Sequence, residues 1–204
     1  MLNQKITELK YSMVKVAIET HGCKLNQADA QFLASELQGR GFKVGDLDQS
    51  VDVYILNTCT VTHVADRKAR NSIRKAKRIS PRAITVVTGC YAERDPEAIR
   101  DMGNVDLIIG NSNKKDIVDG ILSIWDEIQY RDEPIGQYTY IDTESLSEGN
   151  NDHTKTRAML KIQEGCNQVC AYCIVPKVRG REVSVSLKSL VDDIKRLEEL
   201  GYRE

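Results

Sequence analysis

Three apolar runs, VKVAIETHGC (14–23), DVYILNTC (52–59) and AITVVTGC (83–90), determine the fold of this chain, and each run ends in a cysteine. Amphipathic stretches separate them, a pattern typical of β-α units around a parallel sheet. The predicted strands are 14–19, 52–57, 83–88 and 105–110, and the predicted helices are 26–40, 61–79, 95–102 and 114–128. We therefore predict an α/β fold over residues 13–128, an open parallel sheet with flanking helices.

The regions outside this sheet differ from it in composition. Residues 1–12 are predicted to be an N-terminal extension with no core to join. Residues 129–156 are predicted to be a linker, since the stretch 126–152 holds eight acidic residues and one basic residue. Residues 157–204 offer a predicted strand (157–165), a cysteine-rich loop and a predicted helix (186–201). These elements cannot bury their apolar faces alone, so we expect the incomplete start of a second domain.

The composition excludes several classes of protein. The chain has 204 residues, 41% of them hydrophobic and 29% charged, and a net charge of −1, as in ordinary globular proteins. No apolar run approaches the roughly 18 residues that span a membrane, and the first twelve residues lack the apolar region of a secretory signal. We therefore expect a cytoplasmic protein with no membrane partner, in which the six cysteines are thiols rather than disulfides.

Three of these cysteines are dispersed along the predicted sheet. Cys23, Cys59 and Cys90 each follow a predicted strand, and the carboxyl ends of parallel strands converge on one crevice. Two all-cysteine zinc sites would need eight thiolates, whereas three plus three suits two iron–sulfur clusters that each leave one iron without a protein thiolate. A zinc loop, or thiols buried simply as small apolar groups, remain the alternatives.

The other three cysteines form a compact motif, Cys166-x3-Cys170-x2-Cys173, in EGCNQVCAYCIVPKVRGRE (164–182). This motif resembles that of the radical S-adenosylmethionine enzymes. The resemblance implies that the three thiolates hold a [4Fe-4S] cluster whose open iron binds S-adenosylmethionine, a source of the 5′-deoxyadenosyl radical. It also implies that Tyr172 lies beside the adenine of the cofactor; plain packing of the ring is the alternative.

The dispersed trio followed by this motif resembles the methylthiotransferase family from Val14 onward. The resemblance implies an N-terminal cluster domain, the first part of a radical-SAM (β/α) barrel, two [4Fe-4S] clusters, and an electron donor such as flavodoxin or ferredoxin. Family members replace a C–H bond by C–S–CH3. Because residues that close the barrel would lie beyond Glu204, we expect the 204-residue chain alone not to methylthiolate a substrate.

The motif ETHGCKLNQAD (19–29) is most similar to the branch that modifies C2 of N6-threonylcarbamoyladenosine next to the anticodon of tRNA. The alternatives are the tRNA N6-isopentenyladenosine branch and a non-catalytic metal-binding module. The branch that modifies a ribosomal protein fits the second motif less well. Asn26 and Asn57 resemble family residues around the first cluster and are predicted to fix loops there.

A basic helix face agrees with an RNA substrate. Residues 67–92 contain eight basic residues and no acidic one. Five of them are predicted to lie near one helix face that follows a phosphate backbone: Arg67, Arg70, Arg74, Lys77 and Arg78. A merely solvated face is the alternative. Arg179 and Arg181 are candidates for contact with phosphate or a cofactor carboxylate, or else part of a surface turn. His21 and His63 are predicted to hydrogen-bond within loops rather than to ligate metal.

Overall fold

The computed structural model describes residues 11–45, 47, 50–130 and 157–204. Its first part is a parallel sheet in the strand order β2-β1-β3-β4-β5. The strands are β1 (Lys15–Thr20), β2 (Lys43–Gly45), β3 (Val53–Thr58), β4 (Ile84–Gly89) and β5 (Leu107–Ile109). The helices are α1 (Lys24–Gly39), α2 (His63–Ile79), α3 (Cys90–Arg94), α4 (Pro96–Arg100) and α5 (Ile117–Tyr130), with a 3-10 helix at Asn111–Asp116. The predicted α/β fold with an open parallel sheet is confirmed.

Helices cover both faces of the sheet, which explains why its central strands are continuous apolar runs. Val53 and Ile55 of β3 point to the face on which α1 and α5 pack. Tyr54 and Leu56, which alternate with them, point to the face covered by α2 and α4. All six residues of β3 and all six of β4 are buried. The two apolar layers thus fix the register of the central strands and, with it, the position of the residues that follow them.

Two elements of this region are absent from the sequence-based prediction. The edge strand β2 has three residues, and α3 has five and begins immediately after β4, at Cys90. Both are too short to show a period of their own in an apolar pattern. The predicted elements are present with ends displaced by one to three residues; α5, for example, continues to Tyr130, two residues into the predicted linker.

The expectation that residues 1–12 have no core to join is wrong for Tyr11. Its side chain is 3% exposed, belongs to the apolar core and stacks on the ring of Phe42 with 5.0 Å between ring centroids. The Tyr11 carbonyl also accepts a hydrogen bond from the Val14 amide. An aromatic ring that covers the open edge of a core removes a large apolar area from water, which explains why this residue packs. Residues 1–10 lie outside the described part of the chain.

The second region is smaller than predicted in its strand content. It contains β6 (Gln163–Glu164), α6 (Val175–Arg179), β7 (Val183–Ser184) and α7 (Leu187–Glu199). The strand predicted over 157–165 is reduced to β6, which pairs with β7 in an antiparallel sheet. A strand exists only where a neighbour supplies hydrogen bonds. In residues 157–162 the Ala158 amide donates to the Glu204 carbonyl at 2.7 Å, and the Ile162 carbonyl accepts from the Val185 amide at 2.9 Å. The described residues therefore show no parallel strand pair of a barrel, and 131–156 lie outside them.

None of the helices in the described ranges has both the length and the apolar character that a membrane span requires.

Candidate metal centres

Cys23, Cys59 and Cys90, here called the first trio, lie together at the carboxyl edge of the sheet. Cys59 directly follows β3, Cys90 directly follows β4, and Cys23 caps the N-terminus of α1 three residues after β1. The register pairs Thr58 with Gly89, which sets Cys59 level with Cys90. Because neighbouring strands are about 4.8 Å apart, loops on β1, β3 and β4 span roughly 10 Å. The first trio thus occupies three adjacent strand ends.

A buried hydrogen-bond network ties these three strand ends together. The Asn26 amide group donates to the carbonyls of His21, at 2.7 Å, and Thr58, at 2.9 Å. The Asn57 amide group donates to the Asn26 carbonyl at 2.8 Å. The Thr58 hydroxyl donates to the Thr88 carbonyl and accepts from the amide that follows Cys90. Asn26 and Asn57 therefore fix the loops that carry the cysteines, as predicted.

Glycine is required where the loops approach most closely. Gly22 has a φ of +99°, and a Cβ built on it would lie 2.6 Å from the Cβ of Cys59. Gly89 has a φ of +94°, and a Cβ there would lie 2.4 Å from the Thr58 carbonyl oxygen. Residues with a side chain rarely adopt such backbone angles, and a Cβ on Gly89 would collide with the backbone of Thr58. These glycines allow the strand ends to contact one another.

The same edge contains the unpaired polar atoms of the described residues. Four buried side-chain atoms lack a hydrogen-bond partner: His21 Nδ1, Asn57 Oδ1, Thr88 Oγ1 and Asn111 Oδ1. They come from the ends of four strands, β1, β3, β4 and β5. Such atoms are rare in folded proteins, and these four lie at the carboxyl edge that carries the first trio.

The chemistry of this edge fits an iron–sulfur cluster. Among the described residues no three His, Cys, Asp or Glu side chains lie close enough to share a single metal ion, as a mononuclear zinc site would require. Three thiolates spread over adjacent strand ends suit a larger cluster, in which each thiolate binds a different iron. The Asn111 amide group also donates to Cys90 Sγ at 3.6 Å, the kind of contact that tunes such a cluster.

A buried ionic site supports the first of these loops. The carboxylate of Glu19 accepts from Ser72 and Tyr54 hydroxyls at 2.7 Å each and contacts His21 Nε2 at 2.7 Å. The hydrogen bond from His21 is the main reason that the pKa of Glu19 falls to about 2, although partial burial opposes the shift. Burial, followed by the bond to Glu19, raises the pKa of Tyr54 above its ordinary value. Glu19 thus remains ionised and holds His21 in a loop, as predicted for that histidine.

Cys166, Cys170 and Cys173, here called the second trio, line a single open pocket of about 590 Å³. The Gln168 amide donates to Cys166 Sγ at 3.4 Å, and the Cys166 amide donates to the Gly180 carbonyl at 3.2 Å. All three thiols are free and at least partly exposed. The loop therefore presents three thiols to one cavity that is open to a small molecule.

Of the other residues predicted near the second trio, Arg181 lines this pocket and Tyr172 is exposed on the same loop, whereas Arg179 is buried. Tyr172 is 93% exposed, which excludes the alternative that its ring merely packs in the core. Arg181 is exposed and lines the pocket. Both predicted roles of Arg179 are wrong: it is neither free to meet a phosphate nor part of a surface turn, because its side chain is buried against Asp29 and Glu164.

The basic face of α2 is rotated relative to its predicted position. Arg67, Arg74 and Arg78 are exposed as expected. Arg70 and Lys77 are half-buried: Arg70 donates to the Tyr91 hydroxyl at 3.0 Å, and Lys77 donates to the Ala83 carbonyl at 3.0 Å and to Asp106 at 3.3 Å. Their places on the exposed face are taken by Lys68 and Lys75. Arg74, Arg78, Lys68 and Lys75 line a groove of about 790 Å³ together with Lys77, Asn71, Ser72 and Asn104.

The sequence-based prediction missed the charged residues that join the two regions. Asp29 is buried on α1 and binds Lys114, at 2.6 Å, and Lys161, at 2.9 Å. Desolvation opposes ionisation of Asp29, but these two ammonium groups hold its pKa below the ordinary value. A signal was present: Asn26 and Asp29 continue the buried stripe of Leu33 and Leu37 on α1, and polar residues in such a stripe require polar partners.

Comparison with known proteins agrees with this geometry. Residues 15–110 match the family described as "Uncharacterized protein family UPF0004". The chain is 38% identical over 197 residues to the threonylcarbamoyladenosine tRNA methylthiotransferase MtaB of Aquifex aeolicus, a match that covers 94% of this chain and 46% of that protein. It is 34% identical over 203 residues to the MtaB of Bacillus subtilis, covering 94% of this chain and 42% of that protein.

A relative of another specificity is similar at a comparable level. The tRNA-2-methylthio-N(6)-dimethylallyladenosine synthase of Porphyromonas gingivalis is 34% identical over 197 residues, covering 93% of this chain and 42% of that protein. The chain thus spans a little under half the length of the curated relatives it matches.

Proposed function

We propose that the chain belongs to the methylthiotransferase family and carries the two cluster-binding sites of a tRNA methylthiotransferase that acts at C2 of threonylcarbamoyladenosine next to the anticodon. Two relatives named for that substrate support this branch, at 38% and 34% identity. The isopentenyladenosine branch is the second candidate, supported by the dimethylallyladenosine synthase at 34% identity.

One observation carries the proposal above all others. Three cysteines from three different loops end adjacent strands of one sheet and are tied together through Asn26, Asn57 and Thr58. Thiols that served only as small buried apolar groups would not need to end three adjacent strands, and Cys23 is in fact exposed. The arrangement suits a bound inorganic group with three protein ligands.

The residues of the chain divide the work between two sites. The first trio would hold one [4Fe-4S] cluster, and the second trio would hold another whose open iron would bind S-adenosylmethionine. Those groups, when bound, supply the sulfur and the radical chemistry of C–S bond formation. The chain's own residues hold each thiol in place: Asn26 and Thr58 at the first site, and the Gly180 carbonyl at the second. Tyr172, exposed on the loop between Cys170 and Cys173, is available to stack on the adenine of the cofactor.

Charge on α2 supports the tRNA as substrate. Arg67, Arg74 and Arg78 project into solvent beside Lys68 and Lys75, so five positive charges follow one face of a 17-residue helix. Phosphate contacts of this kind give salt-dependent affinity without reading sequence. We propose this face as the part of the chain that follows the tRNA backbone. The proposed electron donor is a flavodoxin or ferredoxin, and the proposed location is the cytoplasm.

Anaerobic reconstitution with iron and sulfide tests the two-cluster proposal. The 204-residue chain should bind about eight irons, and alanine at all three positions of either trio should halve that number. His63→Ala, an exposed change at the first residue of α2 and not at a proposed ligand, should leave the count unchanged. Zinc in a stoichiometric amount, with no iron, would favour the non-catalytic metal-binding module instead.

Deletion of the gene that encodes this chain tests the substrate. Mass spectrometry of tRNA nucleosides should show loss of the methylthio group from threonylcarbamoyladenosine. Complementation with the intact gene should restore the group, and complementation with the gene in which Cys59 or Cys170 is alanine should fail. Loss from isopentenyladenosine would favour the second candidate. Retention of both modified nucleosides would contradict the proposed function.

A further inference from the structure

Arg179 connects the two cysteine sites although its sequence position lies six residues after Cys173. Its guanidinium lies in the first region, where it binds the Asn26 side-chain oxygen and approaches Asp29 at 3.3 Å. It also binds Glu164 at 2.9 Å, two residues before Cys166. The side chain is only 3% exposed. One buried residue thus contacts the network that holds the first trio and the strand that leads into the second.

The segment around Arg179 is also linked to Cys90. A second bridge runs in parallel: the Asn111 amide group donates both to Cys90 Sγ and to the Val178 carbonyl, which immediately precedes Arg179. The backbone of α6 is therefore linked through Asn111 to the thiol that ends β4.

Arg179 belongs to a network of charged side chains beside the first site. Arg179 and Asp29 are buried at its centre, and the other members are Lys114, Lys161 and Glu164. An uncompensated buried charge is costly. A metal-bound thiolate at Cys90, which Asn111 links to this segment, would add a negative charge beside the network.

We infer that Arg179 is a positioning residue that locks the second-trio segment onto the first site and sets the electrostatic environment of the cluster held through Cys90. The inference rests on the proposed function. A positive charge close to a cluster stabilises the reduced, more negative cluster, and net charge and hydrogen bonds to sulfur are among the determinants of cluster potential. Arg179 therefore raises the reduction potential of the first cluster.

The experiment isolates the first cluster by replacing Cys166, Cys170 and Cys173 with alanine. After anaerobic reconstitution, iron is counted and the midpoint potential is measured by redox titration followed by electron paramagnetic resonance. Arg179→Met should lower the midpoint potential and alter the spectrum. Arg179→Lys keeps the positive charge, so its midpoint potential should stay close to that of the chain with Arg179. Arg181→Met, at an exposed arginine two residues along the chain, should change neither quantity.

Asp29→Asn supplies a test of opposite sign that does not depend on the stability of Arg179→Met. Removing a negative charge from the network should raise the potential of the first cluster. A purely structural role for this network predicts shifts in the same direction for both variants, or none, and either result at full iron occupancy would overturn the inference. A chain that binds no iron at the first trio would contradict the proposed function itself, and the inference with it.

Discussion

Replacing Asn26 with alanine should destabilise the first region strongly, because one side chain bonds two loops at once. Asn26 is fully buried, and its amide group is the donor to the His21 and Thr58 carbonyls, at 2.7 and 2.9 Å. A buried group left without its partner costs about 1–3 kcal/mol, so two carbonyls amount to about 2–6 kcal/mol. The better helix propensity of alanine returns less than about 0.7 kcal/mol. The loss is large beside a typical total stability of about 5–15 kcal/mol.

Urea denaturation of the metal-free chain, followed by circular dichroism under reducing conditions, measures the effect. The matched control is Gln38→Ala, an exposed position on the same helix, which should change the free energy of unfolding by no more than about 0.5 kcal/mol. If the Asn26→Ala and Gln38→Ala chains unfold with the same free energy, Asn26 does not hold the strand ends together and the account of the first site is wrong.

Three further outcomes are expected in the same denaturation assay. Gly89→Ala should destabilise the chain by more than about 2 kcal/mol, because Gly89 has a φ of +94° and the new Cβ would lie 2.4 Å from backbone. The control Gly45→Ala, with nothing within 4 Å of its new Cβ, should leave the unfolding free energy nearly unchanged. Equal values for the two variants would contradict the close approach. Tyr11→Ala should lower the unfolding free energy by about 3 kcal/mol through loss of a buried ring. Met13→Ala, at a side chain that is 67% exposed, should change it little. A neutral Tyr11→Ala would support the expectation that residues 1–12 are an unattached extension. The pKa of Glu19 is lowered from 4.5 to about 2, so its carboxylate stabilises the fold above pH 4.5 and loses that effect as the pH falls towards 2. The difference in unfolding free energy between wild type and Glu19→Gln should therefore shrink over this interval. A constant difference would argue against an ionised Glu19.

The order and type of the main elements follow from local pattern. Runs such as 52–57 and 83–88 are uniformly apolar because helices cover both faces of a parallel sheet, and the stretches between them repeat with a helical period. Asp95 and Pro96 begin α4 as their side chains require, with Asp95 accepting from the Ala98 amide at 3.2 Å. Strand 157–165 could not be predicted reliably in the same way, because a strand depends on partners that the local sequence does not specify.

The candidate sites divide along the same line. The meeting of the first trio at one edge could be predicted, since every parallel strand delivers its carboxyl end to the same side of the sheet. The exact arc of the basic face could not: Arg70 and Lys77 are drawn inward by Tyr91 and Asp106, contacts between elements far apart in sequence.

The sequence by itself determined the three central strands of the first sheet and the three cysteines that follow them, because apolar runs are properties of neighbouring residues. Only the tertiary structure decided that Arg179 meets Asp29, 150 positions away, and that Tyr11 enters the core. Ion pairs and ring contacts of this kind depend on how separate elements pack, and the large cost of burying a charge or leaving an apolar ring in water selects the partner only once the chain has folded.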